Sequence, residues 1–228
     1  MIPVFLAVDT ADPARAHALV GAARPHVGGV KLGLEWYGAN GPGPTRQLMA
    51  AAGLPLFLDL KLHDIPNTVA AAVRAVAPLG PALLTVHAGG GRAMLEAARA
   101  AAPATTRVVA VTVLTSLDDT DLAAAGVAGG AAVQAVRLAD LARAAGLDGV
   151  VCSPYEVAAL RARWPEALLV VPGVRPAGAA AADQKRVMAP AEAMAAGASV
   201  LVVGRPITGA ADPAAAAAAI AAELGRCG

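Results

Sequence analysis

Eight times along these 228 residues a short apolar run is followed by a helix signal, and most of the runs lead into a polar residue. The runs are Val4 to Val8, about Val27 to Lys31, Pro55 to Leu58, Ala82 to Val86, Val108 to Leu114, Gly149 to Cys152, Leu168 to Val171 and Ser199 to Val203. They are continuous rather than alternating, as parallel strands buried on both faces are. Asp12-Pro13 supplies an N-cap and a first-turn proline for a helix to about Ala23, and Asp212-Pro213 does the same for the last helix. Further helical stretches are expected up to Ala52, over about Thr68 to Ala77, up to Ala102, over Asp118–Ala125 and Ala131–Ala145, after Ser153-Pro154, and through Ala196. Eight strand–helix units predict a single (β/α)8 TIM barrel of the α/β class, one domain over residues 1–228. A doubly wound nucleotide fold fits less well, because no G-x-G-x-x-G follows the first strand.

In a barrel of this kind, catalytic groups sit at the C-terminal ends of the strands. The polar residues at those ends are Asp9, Lys31, Asp59 with Lys61, His87, Thr115 with Ser116, and Arg205. Any one of them alone reads as an ordinary solvated loop residue, but together they converge on one rim. The densest stretch is Leu58-Asp59-Leu60-Lys61-Leu62-His63-Asp64-Ile65-Pro66-Asn67-Thr68. Strand alternation points Asp59 and Lys61 the same way, and Asp64 falls beyond the strand end, where Pro66 and Asn67 turn the chain. An isolated D-x-K is most simply an ion pair. Here the chain carries fifteen arginines and only three lysines, Lys31, Lys61 and Lys185. Arginine cannot release its proton in a protein, whereas an ammonium can be tuned to do so. Lys61 is therefore a candidate proton donor, expected between two acids.

Gly204-Arg205 follows strand eight, where this fold usually holds phosphate, and arginine can grip two phosphate oxygens at once. The Gly- and Ala-rich loop Arg175–Gln184 reads either as a flap over that phosphate or as a tolerated insertion. His63 and His87 match no common ligand spacing, so no metal is expected, and His87 reads as a barrel-mouth core residue. A formal net charge of +1 offers no basic stripe for nucleic acid and no polybasic membrane signal. Cys152 and Cys227 do not make a disulfide framework, which points to a reducing cytoplasm. Ile2 to Val8 lacks a basic n-region, and the alanine run 214–219 is too short for a bilayer. A cytoplasmic, soluble chain is the expectation.

The Leu58–Thr68 stretch resembles the signature of the orotidine 5′-phosphate decarboxylase family. Further similarity lies in Ala7-Val8-Asp9, Val30-Lys31-Leu32-Gly33, Val86-His87-Ala88, Val111 to Ser116, Pro172 to Pro176, Asp183-Gln184 and Val203 to Pro206. The resemblance implies conversion of orotidine 5′-phosphate to uridine 5′-phosphate and carbon dioxide, without cofactor or metal. It implies that Lys61 stabilises and protonates C6, with Lys31, Asp59 and Asp64 completing an alternating charge array. It puts Asp9, Thr68 and Lys31 on the ribose and Thr115 and Ser116 on the substrate, Ser116 at the pyrimidine amide edge. Gln184 would link base to phosphate, Gly204, Arg205 and Arg175 would hold the phosphate and flap, and Ile65 would line the carbon dioxide pocket. It also implies a homodimer in which the Asp64, Ile65 and Thr68 segment completes the neighbour's site. Magnesium-dependent sugar-phosphate decarboxylases or aldolases share D-x-K-x-x-D, but they carry an acid where this chain has Lys31. A catalytically silent, nucleotide-binding barrel is the alternative from another class, and the intact Asp59, Lys61 and Asp64 set argues against it.

Overall fold

The computed structural model describes residues 2–175 and 188–225. Eight parallel strands close in sequence order into a barrel. They are β1 (Val4–Val8), β2 (Gly29–Leu32), β3 (Leu56–Leu62), β4 (Leu83–His87), β5 (Arg107–Val111), β6 (Gly149–Val151), β7 (Leu168–Val171) and β8 (Val200–Val203). Around them run α1 (Pro13–Ala23), α2 (Leu34–Asn40), α3 (Pro42–Ala52), α4 (Pro66–Val76), α5 (Arg92–Ala101) and α6 (Asp119–Ala124). The circuit continues with α7 (Gly130–Ala144), α8 (Val157–Arg163), α9 (Pro190–Ala195), α10 (Arg205–Thr208) and α11 (Pro213–Gly225). The barrel expected from the eight apolar runs is the one observed. Some details differ from the sequence reading: β3 runs on to Leu62, β5 stops at Val111 rather than Leu114, the region before Ala52 is two helices broken at Gly41, and α10 has no counterpart there. Gly41 has φ of 65°, a backbone angle that ends α2 and starts α3. Among the described residues no helix is long and apolar enough to cross a membrane.

The strand bodies are largely apolar because they serve two cores. Val4, Leu6 and Val8 of β1 pack outward with Leu56 and Leu58 of β3 and Leu201 and Val203 of β8, against the helices. The alternate set, Phe5, Ala7, Phe57, Leu83, Val109, Val170 and Val202, fills the barrel interior. The chain's two phenylalanines meet there edge to face, with ring centroids 6.0 Å apart. Gly29 on β2 makes room for them, since a Cβ at that position would lie 2.2 Å from the Phe5 ring. Following each inward-facing row toward the strand's C-terminal end leads from hydrocarbon to charge: Phe5, Ala7, Asp9; Gly29, Lys31; Phe57, Asp59. The interior aromatic layer therefore closes the barrel below a polar mouth.

Three helix starts carry side-chain caps that the sequence announces. The Asp12 carboxylate accepts the Ala14 N–H at 2.8 Å, and that of Asp212 accepts the Ala215 N–H at 3.0 Å. Asp118 and Asp121 form a reciprocal capping box at α6. On α7 the buried stripe is Ala131, Ala135, Ala139 and Ala142. These small side chains let the helix pack closely, Ala139 and Ala142 in the main core and Ala131 and Ala135 against Val113 and Leu122.

Candidate active site

A cavity of about 500 Å³ opens at the C-terminal end of the barrel. Ala7, Phe57, Val111, Val151 and Val202 give it an apolar lining, and Asp9, Lys31, Asp59 and Lys61 bring charge from β1, β2 and β3. Arg175, Gly204 and Arg205 reach it from the ends of β7 and β8, and Thr115 from beyond β5.

The four charges form an unbroken alternating chain. Lys31 Nζ lies 3.2 Å from Asp9 Oδ1 and 3.4 Å from Asp59 Oδ2, and Lys61 Nζ lies 2.8 Å from the same Asp59 oxygen. Lys31 and Asp59 are buried, Lys61 is partly open and Asp9 is exposed. Burial pushes the Asp59 carboxyl up, but the two ammonium groups and hydrogen bonds from Lys61 and Thr85 outweigh it and hold it below its ordinary range. Gly33 leaves space beside this chain, since a Cβ there would sit 3.1 Å from Lys31 Nζ and 3.4 Å from Asp9 Oδ1.

Simple alternation does not describe how Lys61 reaches Asp59. Leu58 pairs with Leu84 and Leu62 with Val86, so four steps along β3 match two along β4. The strand bulges, and Lys61 has φ of 48°, the one positive value among the described residues other than glycine. Both side chains do reach one cavity, on a bent strand rather than a straight one.

Among the described residues Lys61 pairs with one acid, not two. Asp64 is exposed, and the interaction seen for it is acceptance of the Ile65 N–H at 2.6 Å. Asp9 instead provides the second carboxylate of the array, through Lys31. Ile65 and Thr68 are exposed and lie outside the cavity lining, as does Ser116, whereas Thr115 lines the cavity. Gln184 and the Pro176–Gln184 part of the expected flap fall outside the described residues.

Arg175 is buried, and burial followed by the charge of Arg205 lowers its guanidinium below its usual value. An anion held between the two guanidinium groups would offset that repulsion. His63 and His87 stack at 5.1 Å with rings 8° from parallel. Burial, then the charges of His63 and Lys61, lower His87 below its ordinary value, and its Nδ1 accepts the Gly89 N–H. Among the described residues no group of three or more His, Cys, Asp or Glu is placed to hold a metal.

Sequence reasoning missed Thr85, whose hydroxyl binds Asp59, and the lining residues Arg15, Cys152, Thr208 and Gly209. Thr85 carried a usable signal, being the one hydroxyl in an apolar run at an inward position. Arg15 carried none, as one arginine among fifteen.

A profile of the orotidine 5′-phosphate decarboxylase / HUMPS family matches residues 3–220. The chain belongs to this family. The orotidine 5′-phosphate decarboxylase of Sphingopyxis alaskensis is 59% identical over 222 residues, covering 97% of this chain and 99% of the relative. That of Novosphingobium aromaticivorans is 57% identical with the same coverage. The crystal structure of orotidine 5′-phosphate decarboxylase from Lactobacillus acidophilus superposes with a TM-score of 0.85 at 38% identity, covering 98% of this chain and 99% of that one. The resemblance drawn from the Leu58–Thr68 stretch thus extends over the family's whole barrel.

Proposed function

We propose that this chain decarboxylates orotidine 5′-phosphate to uridine 5′-phosphate and carbon dioxide, the last step of de novo UMP synthesis. The observation that carries the reading is the Asp9–Lys31–Asp59–Lys61 chain, set in one cavity with Arg175 and Arg205. In the reaction the bond from C6 to the carboxylate breaks, its electron pair stays on C6, and carbon dioxide leaves. No ring position delocalises that pair well, so fixed positive charge beside C6 is the main help available. Lys61 supplies the charge and then a proton from Nζ to C6. Solvent afterwards restores the lysine's proton. Asp59 lies against the leaving carboxylate and fixes Lys31 and Lys61 about one oxygen.

Asp9 and Lys31 take the ribose hydroxyls, and Arg175 with Gly204 and Arg205 takes the phosphate. Phosphate binding remote from C6 can be spent on positioning the base. Thr115 and Ser116 serve the pyrimidine, and Gln184 bridges base and phosphate. Asp64, Ile65 and Thr68 act in the neighbouring subunit of a homodimer. That assignment is supported by their exposure and by Leu34, Ile65, Leu114 and Tyr155, exposed apolar residues that all follow strand ends at the cavity's side of the barrel. In this reading residues 1–228 work as one domain in the cytoplasm.

The reaction needs no metal or cofactor in this scheme. Where the magnesium-dependent relatives carry a metal-binding acid, Lys31 places an ammonium already paired with Asp9 and Asp59. The test is spectrophotometric turnover of orotidine 5′-phosphate before and after exhaustive chelation. Equal rates are expected. Absence of turnover, or a loss restored by magnesium, would overturn the assignment.

A further inference from the structure

Thr85 is completely buried in β4 and does not line the cavity, yet it touches both ends of the Asp59–Lys61 pair. Its Oγ1 accepts the backbone N–H of Lys61 at 2.8 Å, and its O–H donates to Asp59 Oδ1 at 2.9 Å. The first bond falls where β3 slips against β4, between Leu58 and Leu62. In a regular parallel pair the Lys61 N–H would find a carbonyl on a neighbouring strand. At the bulge the threonine hydroxyl stands in for one. It does so at the residue with φ of 48°, in a region that side chains other than glycine avoid. The second bond occupies Oδ1, while Oδ2 serves both ammonium groups.

We infer that Thr85 is a positioning residue for the proposed decarboxylation. One hydroxyl holds Lys61 in its left-handed turn and fixes the rotation of the Asp59 carboxylate. Valine would fill nearly the same volume, so packing alone does not call for threonine here. It would leave a part-buried N–H without this partner and leave the Asp59 carboxylate held through Oδ2 without the Thr85 hydroxyl on Oδ1. The kinetic part of the inference rests on the proposed function, but the geometric part does not.

The test compares Thr85→Val, which removes the hydroxyl, with Thr85→Ser, which keeps it. In Thr85→Val kcat should fall roughly 10–100-fold, the scale set by removing one buried hydrogen bond, with KM within about threefold. The acid limb of the kcat profile should move to higher pH, because Asp59 then lacks a hydrogen bond that favours its charged form. Thr85→Ser should restore both. A role in packing alone would not shift that limb.

A second readout is independent of turnover. The chain has three lysines, so ¹³C-lysine labelling resolves Lys61, whose Cε resonance should move in Thr85→Val and return in Thr85→Ser. If Thr85→Val does not fold, Thr85→Ala carries the same expectations. A folded variant without the hydroxyl that keeps kcat within about threefold and leaves the Lys61 resonance in place overturns the inference. Equal impairment of the serine and valine variants does so too. If the native protein fails to turn over orotidine 5′-phosphate, the proposed function falls, and the resonance alone decides the role of Thr85.

Discussion

At the scale of single residues, Asp59 is asked to do the most. It lies in a mostly apolar barrel, yet one of its oxygens faces two ammonium groups at 2.8 and 3.4 Å. A carboxyl held below its ordinary range in the fold stabilises that fold most above the unfolded-chain value of about 3.9. The contribution is lost as pH falls through the lower native value. Asp59→Asn leaves Lys31 and Lys61 facing each other and should cost on the order of 3 kcal/mol near neutral pH. In urea unfolding, the gap between native protein and variant should be flat from about pH 8 to 5 and close below about pH 4. A gap that widens toward acid would refute this account of the carboxyl. In the proposed reaction Lys61 carries the chemistry beside it. Lys61→Ala should lose at least ~10²–10⁴ in turnover, the usual share of a general acid, with lost electrostatic stabilisation added. A variant keeping more than about a tenth of the rate would remove Lys61 from that role.

At the scale of elements, strand parity determines which residues can share the cavity. Inward positions on β1, β2 and β3 lead to Asp9, Lys31 and Asp59, so these were legible from the sequence as strand-end charges on one rim. The bulge in β3 was not legible. Nothing in Leu58-Asp59-Leu60-Lys61-Leu62 breaks the strand pattern, and the hydroxyl that holds the bulge sits on the next strand. Asp64, past the strand end, stands outside the array of its own chain, where among the described residues the second acid, Asp9, comes from β1. Parity also explains the sparse aromatic layer. Phe5 occupies the space that a side chain on Gly29 would need. Gly29→Ala should therefore destabilise the barrel by about 1–3 kcal/mol, the usual cost of overpacking. Combining it with Phe5→Leu should recover part of that loss, because the two changes share one space. Thermal unfolding of both single variants and the double variant measures the coupling. Strict additivity would show that the ring is free to move aside.

At the scale of the whole molecule, the cavity takes only part of the Leu58–Thr68 stretch. Asp59 and Lys61 belong to their own barrel's cavity, whereas Asp64, Ile65 and Thr68 stand outside it, Ile65 with 66% of its surface exposed. An apolar residue left bare beside the site, next to an acid absent from its own charge array, suits a segment that completes another subunit. A twofold interface is self-complementary, so each barrel would give this segment and receive its copy. The proposal predicts complementation between variants that are each defective alone. Lys61→Ala and Asp64→Ala are mixed in equal amounts under conditions that exchange subunits. Each mixed dimer then has one site lacking both groups and one site with both intact. Random pairing makes about half the dimers mixed, so roughly a quarter of the native activity should return, by symmetry alone. A tagged pull-down establishes that exchange has occurred. If mixed dimers form and activity stays at the level of the separate variants, each site is built within one chain, and the exposure of Asp64 and Ile65 needs another cause.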